Sequence, residues 1–192
     1  MKIALTGAHG TGKTTLTDTL HKSLSESYNT KVCREVPRVI IEAVGQDEFF
    51  RRGNNTPLRQ CIVFLYQILE DHFKGLEAEI LISDRTIIDH LAYMLDLFPE
   101  FQNEPEYKPI HKMIEQWMTT YDLIFKVPIE FQVKDDGVRE SDLNFQQKID
   151  KKIDELYINF GISPKIISGS VDMRTKLVLD EVLPQMRLKK ST

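Results

Sequence analysis

Residues 7–14 read Gly-Ala-His-Gly-Thr-Gly-Lys-Thr, a complete G-x-x-x-x-G-K-[ST] pattern that follows directly on the apolar run Ile3-Ala4-Leu5. The pattern requires a strand that ends in a glycine-rich turn and opens a helix. That geometry gathers backbone N–H groups into a nest at the positive end of the helix dipole, where an anion is attracted. Gly7 and Gly12 supply the conformations and the close backbone approach such a turn needs. Gly7, Ala8, His9, Gly10, Thr11, Gly12, Lys13, Thr14 and Thr15 are therefore the candidates for holding the phosphates of a nucleoside triphosphate. Lys13 is expected to reach the β- and γ-phosphates, and the Thr14 hydroxyl to sit on Mg²⁺. His9 fills a variable position of the pattern and is assigned no chemistry of its own. The strand before and the helix after argue against a bare glycine-rich surface turn.

The rest of the chain alternates short apolar runs with helical patterns, which predicts an α/β fold with a mainly parallel sheet. Five strands are expected at about 2–6, 30–34, 79–83, 122–127 and 164–168. Helices are expected at about 13–27, 36–45, 57–77, 86–97, 107–119, 143–160 and 170–187. In the segment 143–160, Phe145, Ile149, Ile153, Leu156, Tyr157 and Phe160 share one face. In the segment 57–77, Phe64, Leu65, Ile68 and Leu69 are expected to pack into the core. Ser170 is a plausible N-cap for the last helix, and Pro184 should weaken its end. Two polar stretches, 46–56 and 129–142, lack clean periodicity and read as functional loops or variable surface.

The length, 192 residues, fits one domain with a substantial core. A net charge of −4 gives no general attraction to nucleic acid or an anionic membrane, so neither is expected as a partner. No apolar stretch approaches the roughly 20 residues that span a bilayer. The first strand runs straight into the glycine-rich turn, which leaves no room for a secretory leader. Cys33 and Cys61 stand in unrelated contexts and suggest neither zinc nor a disulfide, and the five histidines share no metal-ligand spacing. A reducing, cytoplasmic setting is the expectation.

A second motif lies at 79–85, where Glu79-Ile80-Leu81-Ile82-Ser83-Asp84-Arg85 carries a carboxylate and a guanidinium to the C-terminal end of an apolar strand. Ligands in open α/β sheets bind outside those strand ends, so Asp84 and Arg85 should share a crevice with the glycine-rich turn. Asp84 there can hold Mg²⁺ through water or accept a proton. Arg85 can neutralise a phosphate with its planar fork. The bland alternative is an exposed strand-end ion pair.

Together with the glycine-rich turn, Ser83-Asp84-Arg85 followed by Ala92-Tyr93 resembles the Asp-Arg segment of thymidylate kinases and deoxynucleoside kinases. Arg34-Glu35-Val36-Pro37 resembles the Arg-Glu-Pro segment of that superfamily. Glu35-x-x-Arg38, Asp136-Gly137-Val138-Arg139 and the run from Gly169 to Arg174 also resemble elements of the AAA-type, NadR-like nucleotide kinases. Val36-Pro37-Arg38-Val39 stands where the thymidylate kinase pattern has Gly-Gly, and the lid has one arginine instead of a cluster.

The resemblance implies a single P-loop kinase domain over 1–192, a three-layer α/β/α fold with a five-stranded, mainly parallel sheet. It places an acceptor-binding segment at about 36–77 and a lid at about 129–145. The catalytic set is then Lys13, Glu35, Asp84, Arg85 and Arg139, with ATP and Mg²⁺ as cofactors. Glu35 is the first choice for orienting or deprotonating the attacking hydroxyl, and Asp84 competes for that role. Thr14 and Asp84 are the candidate metal partners, and Arg174 joins the cofactor-binding set. Arg38, Gln67, Arg85 and Tyr93 are implied on the acceptor side, where a helical Gln would read a base edge. The acceptor would be a nucleoside or nucleotide, and a homodimer stays open.

Other function classes remain beside the kinase reading. An NTP-driven switch or ATPase would share the turn, although no Asn/Thr-Lys-x-Asp guanine-reading segment is present. A kinase acting on a nucleic-acid end or a modified DNA base would need a basic patch, for which Arg51, Arg52 and Arg59 are the candidates.

Overall fold

The computed structural model describes residues 1–36, 39, 56–130 and 143–190. Most of the expected helix 36–45, the stretch 46–55, Arg38, Arg139 and the lid loop beyond residue 130 lie outside these residues.

The strands are β1 (Lys2–Thr6), β2 (Thr30–Cys33), β3 (Ile80–Asp84), β4 (Leu123–Lys126) and β5 (Lys165–Ile166). They form one all-parallel sheet in the order β2-β3-β1-β4-β5. The helices are α1 (Lys13–Ser25), α2 (Pro57–Glu77), α3 (Ile87–Leu97), α4 (Tyr107–Met118), α5 (Leu143–Asn159) and α6 (Val171–Lys190). A 3-10 turn at Pro99–Asn103 links α3 to α4.

Side chains alternate across a strand, so β1 feeds two cores. Ile3 and Leu5 join Leu16, Leu20, Val178 and Val182 on the α1–α6 face. Ala4 joins Phe64, Ile88, Leu91, Ile149 and Ile153 on the face covered by α2, α3, α4 and α5. The result is three layers. Leu5 is paired with Asp84 on one side and Phe125 on the other, which brings the C-terminal ends of β1, β3 and β4 level.

Two expectations need correction. The last helix runs through Pro184 to Lys190, because Val178, Val182 and Met186 stay buried along its inner face. That burial outweighs the missing proline N–H. On α2, Phe64 is buried as expected, but Leu65 and Leu69 are half exposed. The sheet takes the stripe of Val63, Phe64, Gln67 and Asp71 instead. No helix among the described residues is long and apolar enough to cross a membrane.

Candidate active site

The glycine-rich turn sits at the C-terminal end of β1 and opens α1. Gly7 has φ +139°, and a Cβ there would meet the Val127 carbonyl oxygen at 2.5 Å. Gly12 caps α1 in the left-handed region at φ +87°. Neither position accepts a side chain without strain.

Neighbouring helices hold the turn from outside. The Gly7 N–H donates to Asp89 Oδ1 at 2.9 Å, and the Ala8 N–H to Asp150 Oδ1 at 3.2 Å. The His9 N–H donates to the Tyr93 hydroxyl at 3.1 Å. Gln146 Nε2 donates to the His9 carbonyl at 2.6 Å, and Arg174 Nη1 to the Thr11 carbonyl at 2.9 Å. These contacts commit the first three amides, so anion binding falls to the later amides and the first turn of α1, whose N–H groups lack helical acceptors.

Lys13 is buried, with Nζ donating to the Ala8 carbonyl at 2.5 Å and to Thr11 Oγ1 at 3.2 Å. Burial first, and the Arg85 charge second, push its ammonium down to about 7. An anionic phosphate at this point would counter both effects. Thr14 Oγ1 donates to Asp84 Oδ2 at 2.7 Å, joining the first turn of α1 to the end of β3. A hydroxyl and a carboxylate held together at the phosphate turn fit a hard divalent cation with oxygen ligands. Cradle and oxygen pair together fit Mg²⁺ and a nucleoside triphosphate.

Arg85 follows β3 with φ +100°, and its side chain is 3% exposed. Its Nε donates to Glu35 Oε1 at 2.9 Å, and its Nη1 to the Gly7 carbonyl at 3.2 Å. The guanidinium also lies 5.2 Å from the centre of the Tyr93 ring. Burial opposes its charge, but Glu35, Tyr93, Asp89 and Asp84 outweigh burial and hold its pKa above the ordinary arginine value. Arg85 is buried and Glu35 half-buried, unlike the exposed strand-end alternative. Glu35 is paired with Arg85, while Arg34 reaches Asp18 at 2.5 Å.

The other expected residues are placed as follows. Tyr93 supports the turn through His9 and flanks Arg85. Arg174 grips the outside of the turn at Thr11 and also binds Glu130 at 2.7 Å. Gln67 is fully buried, with Nε2 on Asp71 Oδ1 at 3.1 Å and Cys33 Sγ at 3.2 Å. Its Oε1 lies 3.2 Å from His90 Nε2. Burial and the Arg85 charge push His90 down to about 4, so the ring is neutral near pH 7. A neutral ring facing an amide oxygen through Nε2 carries its proton there.

Asp89 is the main residue missed by sequence reading. Its buried carboxylate accepts from the Thr6 hydroxyl, the Gly7 N–H, and the Thr86 N–H and hydroxyl at 2.8–2.9 Å. The signal was present: Thr86-x-x-Asp89 is a capping box for α3. Gln146 and Asp150, one turn apart beside Ile149 on α5, were polar residues on an apolar face.

The sequence profile of the AAA domain family matches residues 2–174. The chain belongs to that family. Its fold is that of the P-loop nucleoside and nucleotide kinases. The NadR protein in complex with NR superposes with a TM-score of 0.66 at 18% identity, over 88% of this chain and 46% of that one. The chain thus spans about half the length of that structure. Thymidylate kinase from Ehrlichia chaffeensis gives a TM-score of 0.64 at 19% identity, over 95% of this chain and 98% of that one. Deoxyadenosine kinase from M. mycoides, with dCMP and dCDP bound, gives 0.65 at 13%, over 96% and 100%. No curated protein matches the chain in sequence.

Proposed function

We propose that the chain transfers the γ-phosphoryl group of MgATP to a nucleoside or a nucleoside monophosphate. The observation that carries this reading is the Glu35–Arg85 pair, with Arg85 buried and Glu35 half-buried, beside the phosphate turn. A triphosphate switch needs the turn and the Thr14–Asp84 oxygens, but not a second charged site at the ends of β2 and β3.

In this reading Lys13, Thr14 and the amides of α1 hold the donor phosphates, and Asp84 with Thr14 takes Mg²⁺. When bound, MgATP supplies the phosphoryl group and the metal charge that offsets it. Arg85 places positive charge against the transferred group or the acceptor. Glu35 orients the attacking hydroxyl, and a loose phosphoryl-transfer transition state asks little of a base. The acceptor oxygen–phosphorus bond forms as the β–γ bridging bond breaks, and the hydroxyl proton leaves through Glu35 or solvent. Arg38, Arg139 and Gln67 stay proposals for the acceptor and lid sides of one kinase domain. Neighbours named for thymidylate and deoxyadenosine, and one bound to NR, support this acceptor class without selecting a base.

The test is ADP formation from MgATP across nucleosides, nucleoside monophosphates, nicotinamide riboside and oligonucleotides. ADP that depends on a small acceptor supports the proposal. Equal ADP with and without every acceptor would favour an ATPase, and ADP dependent on oligonucleotides alone would favour a nucleic-acid kinase.

A further inference from the structure

Helix α2 turns a mixed stripe to the sheet and leaves a second, wholly apolar stripe on its outer side. On its inner side Val63, Phe64, Gln67 and Asp71 are buried. On its outer side Leu58, Ile62, Leu65, Leu69, Phe73 and Leu76 are between 51% and 79% exposed. They are spaced three or four residues apart along the 21-residue helix, so they share one face, as the residues of a helix–helix seam do. No other described helix carries so long a run of exposed large apolar side chains.

We infer that this face is the interface of a two-fold homodimer, in which α2 packs antiparallel on α2 of a second copy. The stripe is nearly symmetric about its midpoint. With the helices reversed, Leu65 faces the partner's Leu69, Ile62 the partner's Phe73, and Leu58 the partner's Leu76. Self-complementarity of this kind is what an isologous contact requires.

Area and charge point the same way. From the sizes of large apolar side chains, the exposed parts of these six offer roughly 600–700 Å² per copy. Two copies then reach about 1,300 Å², above the roughly 1,000 Å² that a specific interface needs, and the patch on each copy exceeds the roughly 300–600 Å² largest patch of an ordinary monomer. Arg59 is the lone charge in the first half of the helix, while the second half carries Glu70, Asp71 and Glu77 against a single cation, Lys74, which is paired with Glu70, so that half stays net acidic. Antiparallel packing sets the basic end against the acidic end and opposes the two helix dipoles. None of the six side chains belongs to the phosphate site, so the inference stands apart from the proposed activity.

The test is the mass of the full chain in solution by light scattering at tens of micromolar. The expected result is twice the 22.3 kDa of one chain. Leu65→Glu should shift it to the monomer while the circular dichroism spectrum stays unchanged. In a Cys61→Ser background, mixing Leu65→Cys with Leu69→Cys chains should give a disulfide-linked dimer on mild oxidation, which reads the register even if Leu65→Glu folds poorly. A wild-type monomer overturns the inference. A dimer that survives Leu65→Glu, with no cross-link between the cysteine variants, overturns it equally.

Discussion

Arg85 Nε donates to Glu35 Oε1 at 2.9 Å from a residue whose own backbone lies at φ +100°. A left-handed conformation at a non-glycine residue costs on the order of 1–3 kcal/mol. The strain falls where the guanidinium also meets the Gly7 carbonyl, so the backbone bend and the two-pronged placement come together. Lysine would keep the charge and lose the fork. Arg85→Lys should therefore lower kcat/KM by about 1,000-fold, the low end of the range for arginines that stabilise phosphoryl transfer, with the fold intact. Steady-state kinetics check this; a change under threefold would remove Arg85 from the reaction.

Lys13 gives a pH prediction. Its pKa in the folded chain, about 7, lies below its ordinary value of 10.5. Between those values the unfolded chain holds the extra proton, so stability rises with pH across that window and the penalty is fully present below about pH 7. Lys13→Met should raise the Tm near pH 7, by roughly 5 °C for a domain of this size, and flatten the rise towards pH 10. Equal slopes of Tm against pH in both proteins would show that Lys13 is not strained by burial.

Asp89 ties Thr6 and Gly7 to the start of α3 through four donors. Asparagine keeps the shape but presents an N–H where every neighbour donates. Asp89→Asn should cost about 2–4 kcal/mol in urea unfolding, because charged acceptors are strong and buried donors are left unmet. Nucleotide affinity should fall with it, since the turn loses its outer brace; unchanged affinity would separate the brace from binding.

These residues show what a sequence discloses. The phosphate turn was legible because its chemistry sits in eight consecutive residues, and strand ends follow from hydrophobic runs. The Asp84–Arg85 step was legible for the same reason. The brace made by Tyr93, Gln146 and Asp150 was not, because it joins residues as far as 142 positions apart that periodicity never relates. Leu65 and Leu69 were misplaced for another reason. A helix with large apolar side chains on two faces has a clear period but no label saying which face meets the sheet.

Arg139 rests on the sequence resemblance alone. Arg139→Ala should cut turnover by about a thousandfold or more if it stabilises the transferred group, with no loss of Tm. Less than threefold would remove it from the mechanism.

The central claim is transfer to a small acceptor, and following the γ-phosphoryl group itself tests it most directly. With γ-labelled ATP, Mg²⁺ and the acceptor panel, the label should appear on a nucleoside or nucleoside monophosphate, and Glu35→Gln should slow its appearance. Label released only as inorganic phosphate, at one rate with or without every acceptor, would contradict the account.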